Sequence, residues 1–402
     1  MTQEDRVLLL KGRVFDGSIL RENAVVCVDG EKGVITGYGE RGEIEEPRDA
    51  KIIEYDDTTI LPGLIDSHVH FFGARGSGLI EWALTDTTLA ALRSVADLRR
   101  LLYAGFTSVR DLGSKGSTFL AQAVDEGYIE GPSIISCSRA IAQTGGDDDP
   151  SNLPLDVAHR LASYSYFCDG PWQCRRAVRN VVRDGGKVVK IYASGGFAQG
   201  GRIRLQFTEE EIRAIVDEAH RSGLKVASHA YGEEALLNSV IGGVDSIEHG
   251  LGLTERVAKL MKEKGTFYVP TLVTYLKLGE DRGSEARRDL VRRHFSEDMK
   301  MVKEYDLKVA MGSDIVGDAI RPHGNNYEEI TEEAKHLGKL KALRAATEDA
   351  AECLGLERVG RIEKDYLANI TIVRGNPVEE IQSLAPQNIR CVLKGGNLFL
   401  PS

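Results

Sequence analysis

Six residues of types that bind metal ions follow one another along the chain, each at or after a short apolar run: His68, His70, Lys190, His229, His249 and Asp314. Their intervals are far too long for a single motif, which is typical of a metal site assembled from the ends of several parallel strands. The most informative segment is Leu61–His70. Side chains two apart on a strand point the same way, so His68 and His70 converge while Val69 faces away. Neutral imidazole is a common ligand of zinc and similar ions, so the six positions are enough for two metals.

Alternating strands and helices are predicted to position these residues. Eight β-rich segments lie between about residues 64 and 314, at 64–70, 107–111, 133–136, 187–192, 224–229, 244–249, 266–270 and 307–314. Apolar residues at helical spacing fill the gaps at 89–103, 173–183, 209–222, 233–241, 254–263 and 284–305. Thr208 and Glu211 form a capping box before the third helix. Alternation with short connections predicts parallel strands and a closed (β/α)8 TIM barrel, whose active site lies at the carboxyl ends of the strands.

Short β-rich segments also occur at both chain ends. Too few strands lie at either end to bury enough area alone, so the two ends are expected to associate. We predict a small β-sandwich domain from residues 1–60 plus 365–402, beside a barrel domain of residues 61–364.

Composition is that of an acidic enzyme. The net charge of −10 argues against nucleic acid and anionic membranes as partners. There is no run of eighteen apolar residues, and the first residues lack the layout of a signal peptide, so a cytoplasmic location is expected. The six cysteines contain no CxxC pair and are predicted to be reduced thiols, with Cys168 and Cys174 the only close pair.

Several of these segments resemble the amidohydrolase superfamily over nearly the whole chain. Pro62–His70 is similar to its signature first strand. Segments 107–113, 193–196, 229–232, 246–250, 311–314 and 342–347 resemble the imidazolonepropionase-related branch, which includes Xaa-Pro dipeptidases and carboxypeptidase-like peptidases. Lys190 lies where two-metal members carry a carbamylated lysine that bridges the ions. The resemblance therefore implies a metal-dependent amidohydrolase, with small amides such as N-acyl amino acids or dipeptides as substrates.

The ligand set predicts a mechanism. Two divalent ions, zinc or alternatively cobalt or manganese, would share the Lys190 carbamate and a hydroxide that attacks the amide carbonyl. His68, His70 and Asp314 would hold the more buried ion. His229 and His249 would hold the outer one. Asp314 is the expected general base and then acid, and Tyr231 or the metal would stabilise the oxyanion.

Substrate contacts are less constrained by the sequence. Tyr231 shares the face of His229 and could bind a substrate oxyanion or carboxylate, or could be an ordinary packed aromatic. His323 follows the last predicted strand and is a candidate substrate contact. Arg110 could contact a carboxylate or pair with Asp111 or Asp66.

The loop Thr144–Asp149 departs from the branch. Members often read Thr-Gly-Gly-His-Gly-Asp here, whereas this chain reads Thr-Gly-Gly-Asp-Asp-Asp. Three aspartates near the catalytic mouth predict a preference for neutral or basic acyl groups over acidic ones. The alternative is that they point to solvent or cap the following turn.

Two other functions stay open from the sequence. One is a deaminase or cyclic-amide hydrolase that uses a single metal without a Lys190 carbamate. The other is a barrel that has lost catalysis and serves as a scaffold, which the complete set of six ligands disfavours. The expected partners are a small-molecule or dipeptide-like substrate and further copies of the chain in a homo-oligomer.

Overall fold

A computed structural model of the chain describes residues 7–76, 78–162, 164–196, 203–279 and 285–401. Its strands are β1 (Val7–Phe15), β2 (Leu20–Asp29), β3 (Val34–Glu40), β4 (Lys51–Pro62), β5 (Leu64–Val69), β6 (Phe106–Asp111), β7 (Ser133–Ser136), β8 (Ala140–Ala142), β9 (Ser165–Phe167), β10 (Val188–Tyr192), β11 (Lys225–Ala230), β12 (Ser246–His249), β13 (Phe267–Val269), β14 (Ile370–Arg374), β15 (Ile389–Lys394) and β16 (Asn397–Phe399). Its α-helices are α1 (Leu79–Leu84), α2 (Thr87–Tyr103), α3 (Ser117–Asp125), α4 (Leu155–Leu161), α5 (Pro171–Arg183), α6 (Glu209–Arg221), α7 (Glu233–Gly242), α8 (Glu255–Lys264), α9 (Leu272–Gly279), α10 (Glu285–Arg293), α11 (Met299–Glu304), α12 (Tyr327–Leu337), α13 (Lys339–Ala345) and α14 (Glu348–Leu354). A π-helical turn spans His294–Asp298, and 3-10 turns span Ile381–Leu384 and Pro386–Asn388.

Two parallel sheets form the centre of the molecule. One has the order β13-β12-β11-β10-β8-β9 and the other the order β5-β6-β7. Segment 308–315 lies between them: Ser67 N–H donates to Met311 O at 2.8 Å, and Tyr268 N–H donates to Lys308 O at 2.8 Å. Because the paired strands are parallel, their carboxyl ends share one edge, and the candidate ligands lie there. The mixed α/β class and the parallel pairing are as predicted.

The eighth predicted strand, 307–314, is not a regular strand. It makes only single bridges, Val309 with Tyr268 and Ile315 with Val69. The N–H groups of Met311 and Ser313 donate instead to Ala345 O and to the Asp66 carboxylate. These two N–H groups are therefore not available for the hydrogen bonds of a β-ladder. The short strands β8 and β9 were not predicted, since three residues carry too little periodicity to be read.

The predicted helices are confirmed with small shifts at their ends. Thr208 and Glu211 form the predicted capping box of α6, whose buried side includes Ile212, Ile215 and Ala219 at helical spacing. The helix predicted at 284–305 is divided into α10, the π-helical turn and α11. Its first predicted residue, Ser284, lies outside the described residues.

The two chain ends associate as predicted, in one seven-stranded sheet of order β16-β15-β14-β4-β1-β2-β3. The antiparallel pair β4–β14 joins the amino-terminal and carboxyl-terminal parts, and Ile60 lies opposite Ile372. Both residues belong to an apolar cluster with Leu10 and Val26. The strands form a single hydrogen-bonded sheet, so the sandwich and the exact domain boundaries stay predictions.

The expectation that all cysteines are reduced is wrong for one pair. Cys168 and Cys174 form a disulfide, because the turn through Gly170 into α5 brings their Cα atoms to 5.1 Å. Cys27, Cys137, Cys353 and Cys391 are free and buried.

Within the described ranges, no helix is both long enough and apolar enough to cross a bilayer.

Candidate metal centre

The first two candidate ligands converge at the end of β5. His70 Nδ1 donates to the carbonyl oxygen of Gly113 at 3.0 Å, and His68 Nδ1 lies 2.9 Å from Glu248 Oε2. Each Nδ1 is thereby the protonated nitrogen, which leaves Nε2 with a free lone pair. The Nε2 atoms of His68 and His70 lie 3.5 Å and 3.2 Å from Asp314 Oδ1. These three residues place their ligand atoms within 4.8 Å of one another.

His229 and His249 complete a ring of imidazoles at the ends of β11 and β12. The ring centroid of His249 is 4.7 Å from that of His229 and 5.0 Å from that of His68. A hydrogen bond of 2.8 Å joins His249 Nδ1 to Thr271 Oγ1. His229 Nε2 is buried and has no hydrogen-bond partner in the described part of the chain. A buried, unpaired acceptor is costly, and a metal ion would satisfy it.

Lys190 reaches the same space from β10. Its side chain is 1% exposed, and Nζ lies 5.3 Å from the centre of the Tyr192 ring. Burial lowers the pKa of the Lys190 ammonium from its ordinary value. A neutral amine is the form that reacts with carbon dioxide, so this environment fits a carbamate.

The imidazoles are held in the neutral form that metal binding requires. Burial, reinforced by the charge of Lys190, lowers the pKa of His68 to about 4. Burial also lowers the pKa values of His229 and His249 well below the ordinary value. The oxygen and nitrogen donors therefore form a set that fits zinc or a similar divalent ion.

A buried ion pair that sequence reasoning missed supports His68. Glu248 accepts from Arg110 Nη2 at 2.7 Å through Oε1 and faces His68 through Oε2, and both charged side chains are at most 1% exposed. Arg110 therefore pairs with Glu248, not with Asp111 or Asp66 as considered above. The only sequence feature that pointed to a role for Glu248 was the alternation of side chains in Ser246–His249. This alternation turns Glu248 and His249 to opposite sides of a strand. Thr271, the partner of His249, had no signal.

Asp66 organises the segment that carries Asp314. Its carboxylate accepts from Ser313 N at 3.0 Å and from Asn326 Nδ2 at 2.7 Å. Asp314 itself has φ +51°, so the chain turns sharply at the ligand. The contacts of Ser313 therefore fix where the Asp314 carboxylate points.

Tyr231 and His323 differ in how directly they face the ligands. The Tyr231 ring lies 4.4 Å from that of His229, and its hydroxyl is 2.6 Å from the hydroxyl of Tyr275. His323 Nε2 instead donates to the main-chain oxygen of His70 at 2.9 Å. His323 thus packs against the far side of a ligand strand, and a substrate contact by it stays a prediction.

The acidic loop is buried and does not point to solvent. Asp147, Asp148 and Asp149 are 5%, 6% and 3% exposed. Asp149 accepts from Gly145 N at 2.7 Å and so caps its own turn, while Asp148 accepts from the Ser165 hydroxyl. Asp147 accepts from Gly196 N at 2.7 Å. Burial and the neighbouring Asp148 raise the pKa of Asp147 to about 7.

Comparison with known proteins gives matches over most of the chain. The amidohydrolase family model matches residues 59–399. The ochratoxinase of Aspergillus niger is 30% identical over 98% of this chain and 85% of that enzyme. A prolidase crystallised with N-methylphosphonate-L-proline is 34% identical with a TM-score of 0.88, over 98% of this chain and all of that one (100%). A Xaa-Pro dipeptidase with methionine bound in its active site is 30% identical with a TM-score of 0.85, over 98% and 100% of the two chains. The imidazolonepropionase of Symbiobacterium thermophilum is more distant, 24% identical over 90% of this chain and 86% of that enzyme.

Proposed function

This chain belongs to the amidohydrolase family, and from that premise we propose that it hydrolyses an amide bond at a two-metal centre. The resemblance predicted from the sequence is confirmed, since a prolidase and a Xaa-Pro dipeptidase are among the similar structures. The prolidase and the Xaa-Pro dipeptidase among these relatives support a small, peptide-like amide as the substrate. The proposal is a dipeptidase or carboxypeptidase-like activity on dipeptides or N-acyl amino acids.

The proposed ligand roles follow the positions of the side chains. His68, His70 and Asp314 would hold the more buried ion, and His229 and His249 the outer one. Lys190, carbamylated, would bridge them. Zinc suits these nitrogen and oxygen donors, with cobalt or manganese as alternatives. Bound ions of this kind supply Lewis acidity, which polarises a carbonyl and lowers the pKa of a water.

The fold supports this placement. We infer that seven strands of the two parallel sheets and segment 308–315 together make the predicted eight-stranded barrel, with β8 and β9 as two additional short strands; the seven are β5, β6, β7, β10, β11, β12 and β13. Lys187 N–H donates to Ser136 O at 2.7 Å, which links β10 to the end of β7. In such barrels the active site lies at the carboxyl ends of the strands, where these ligands are.

Proton transfer is assigned to Asp314. Its carboxylate is the one acidic side chain in the ligand set, and Oδ1 lies 3.5 Å from the Nε2 atom of His68 and 3.2 Å from that of His70. It would take the proton of the attacking water and deliver it to the departing amine. Tyr231 would donate a hydrogen bond from its hydroxyl to the oxyanion, while the hydroxyl of Tyr275 holds the Tyr231 hydroxyl in position.

The observation that carries the proposal is the convergence of two free Nε2 atoms and one carboxylate beside a buried lysine. The test is metal analysis of the purified protein, followed by turnover on a library of dipeptides and N-acyl amino acids with zinc, cobalt or manganese supplied. About two ions per chain and turnover of an acyclic amide would support the proposal. One ion with turnover of a cyclic amide or an amine would favour the mononuclear alternative. Two ions with no turnover of any amide would favour the scaffold.

A further inference from the structure

Asp147 is the aspartate of the acidic loop that borders His229, a candidate metal ligand. Its carboxylate is held by Gly196 N–H, and its own N–H donates to Gln206 Oε1 at 3.3 Å. The other two aspartates are engaged elsewhere, by Ser165 and Gly145. Asp147 is therefore fixed in one orientation by both its main chain and its side chain.

The position of Gly196 shows how close Asp147 is to His229. A Cβ atom on residue 196 would lie 2.9 Å from Asp147 Oδ2 and 3.1 Å from His229 Nε2. Asp147 Oδ2 and His229 Nε2 thus border one small space, and any side chain larger than that of glycine at position 196 would enter it. His229 is 4% exposed, and its Nε2 has no hydrogen-bond partner among the described residues. A carboxylate oxygen and an unpaired imidazole nitrogen consequently face the same point.

Among the described residues, no Lys or Arg forms an ion pair with this carboxylate. The charge of Lys190 acts on Asp147 through space and favours its ionised form, but carbamylation of Lys190, as proposed above, would remove that positive charge. A buried carboxylate without a counter-ion is unfavourable. The space beside it therefore favours a ligand that carries a positive charge.

We propose that Asp147 binds the free α-ammonium group of the residue on the acyl side of the scissile bond, so that dipeptides are preferred to N-acyl amino acids. This inference rests on the proposed function, and it takes the substrate carbonyl to be bound on the side of the centre where His229 and His249 would hold an ion. The ammonium group and the carbonyl of an aminoacyl group are attached to adjacent carbons. A carbonyl bound beside His229 thus brings its ammonium to the neighbouring carboxylate, Asp147. An N-acyl substrate would leave the already buried Asp147 carboxylate without a cation to pair with it.

The test compares each hydrolysed dipeptide with its N-acetyl derivative, in the wild type and in Asp147→Asn. The wild type should favour the free amine in kcat/KM. Asp147→Asn should lower kcat/KM for the free dipeptide about 10- to 100-fold, the range for a hydrogen bond to a charged group, and change the N-acetyl derivative little. Asp149→Asn is the matched control, because Asp149 caps its own turn, and it should leave the ratio of the two substrates unchanged.

Two further measurements separate this inference from its alternatives. Metal content should be the same in Asp147→Asn as in the wild type; loss of an ion, with equal loss of activity on both substrates, would make Asp147 a metal ligand and overturn the inference. Calorimetric binding of a phosphinic dipeptide analogue and of its N-acetyl derivative does not depend on turnover. Tighter binding of the free amine that disappears in Asp147→Asn supports the inference even if no amide is hydrolysed. Equal binding of the two analogues by the wild type refutes it, whatever the outcome for hydrolysis.

Discussion

Glu248→Gln is the substitution that most directly tests the buried ion pair that holds His68 in the candidate metal centre. Glu248 lies fully buried between the Arg110 guanidinium at 2.7 Å and His68 Nδ1 at 2.9 Å. Burial raises the pKa of Glu248, but the charge of Arg110 and the bond to His68 outweigh it and lower that pKa to about 2. The side chain is therefore ionised at neutral pH. Glutamine keeps its shape and removes its charge.

Glu248→Gln is expected to lower both the free energy of unfolding and the affinity for metal. Arg110 is 1% exposed, so its charge would be left buried and unpaired, which costs about 3–5 kcal/mol in the free energy of unfolding. His68 would keep a neutral acceptor at Nδ1 but lose a charged one. Loss of such a supporting partner weakens metal affinity about 10- to 100-fold.

Denaturant unfolding of the metal-free proteins measures the free energy of unfolding, and competition with a chromogenic chelator measures the affinity for metal. Glu255→Gln is the matched control, because Glu255 pairs with Lys259 at 2.6 Å on an exposed helix face and should contribute less than about 1 kcal/mol. The double variant Arg110→Met with Glu248→Gln should regain most of the lost stability, since neither charge then remains buried.

Two results would refute this reasoning. One is a Glu248→Gln protein no less stable than Glu255→Gln. The other is a double variant no more stable than the single one, which would show that packing, and not the unpaired charge of Arg110, sets the cost.

Three further predictions concern the ligands and the interior. Lys190→Ala should bind about one ion fewer per chain and lose activity, which acetate or propionate should partly restore; full activity with two ions bound would contradict the bridging role. Asp314→Asn should lower kcat by at least about 10²–10⁴-fold through loss of proton transfer, and near wild-type turnover would move that role to His249 or His323. Glu333 is fully buried without a hydrogen-bond partner among the described residues, and burial together with the Glu329 carboxylate raises its pKa well above 4.5. The folded state therefore holds this proton more tightly than the unfolded state, so stability is greatest below the unfolded pKa and falls as the pH rises toward the folded pKa. Glu333→Met should raise the free energy of unfolding at neutral pH and reduce this slope, as measured by denaturation from about pH 5 to about pH 8; an unchanged slope would contradict the assignment.

Local patterns were enough to predict the candidate ligands and the order of the elements. The period of two around Val69 placed His68 and His70 on one side of a strand, and the period of 3.6 in α6 placed Ile212 and Ile215 on one face. These features depend on residues a few positions apart. Each could be read without knowing what packs against it.

Only the tertiary structure decided how distant residues pair. Glu248 meets Arg110 across 138 positions of sequence, and Asp147 meets Gly196 across 49. No local periodicity in the sequence predicts such a contact, because the contact depends on how neighbouring strands are aligned. The eighth predicted strand is irregular for the same reason, because its hydrogen bonds depend on distant residues. The N–H groups of Met311 and Ser313 donate to Ala345 and Asp66, which lie outside the segment.

The acidic loop, Thr144–Asp149, illustrates both the information in the sequence and the information that only the tertiary structure adds. The sequence shows three consecutive aspartates, the first of which, Asp147, stands where the branch that the chain resembles often carries a histidine, but it left open whether they face solvent or the site. The fold buries all three and separates their roles, since Asp149 caps a turn and Asp147 alone borders His229. The physical reason is that a carboxylate's orientation is set by the donors that surround it, and the donors to Asp147 and Asp148, Gly196 and Ser165, come from distant parts of the chain.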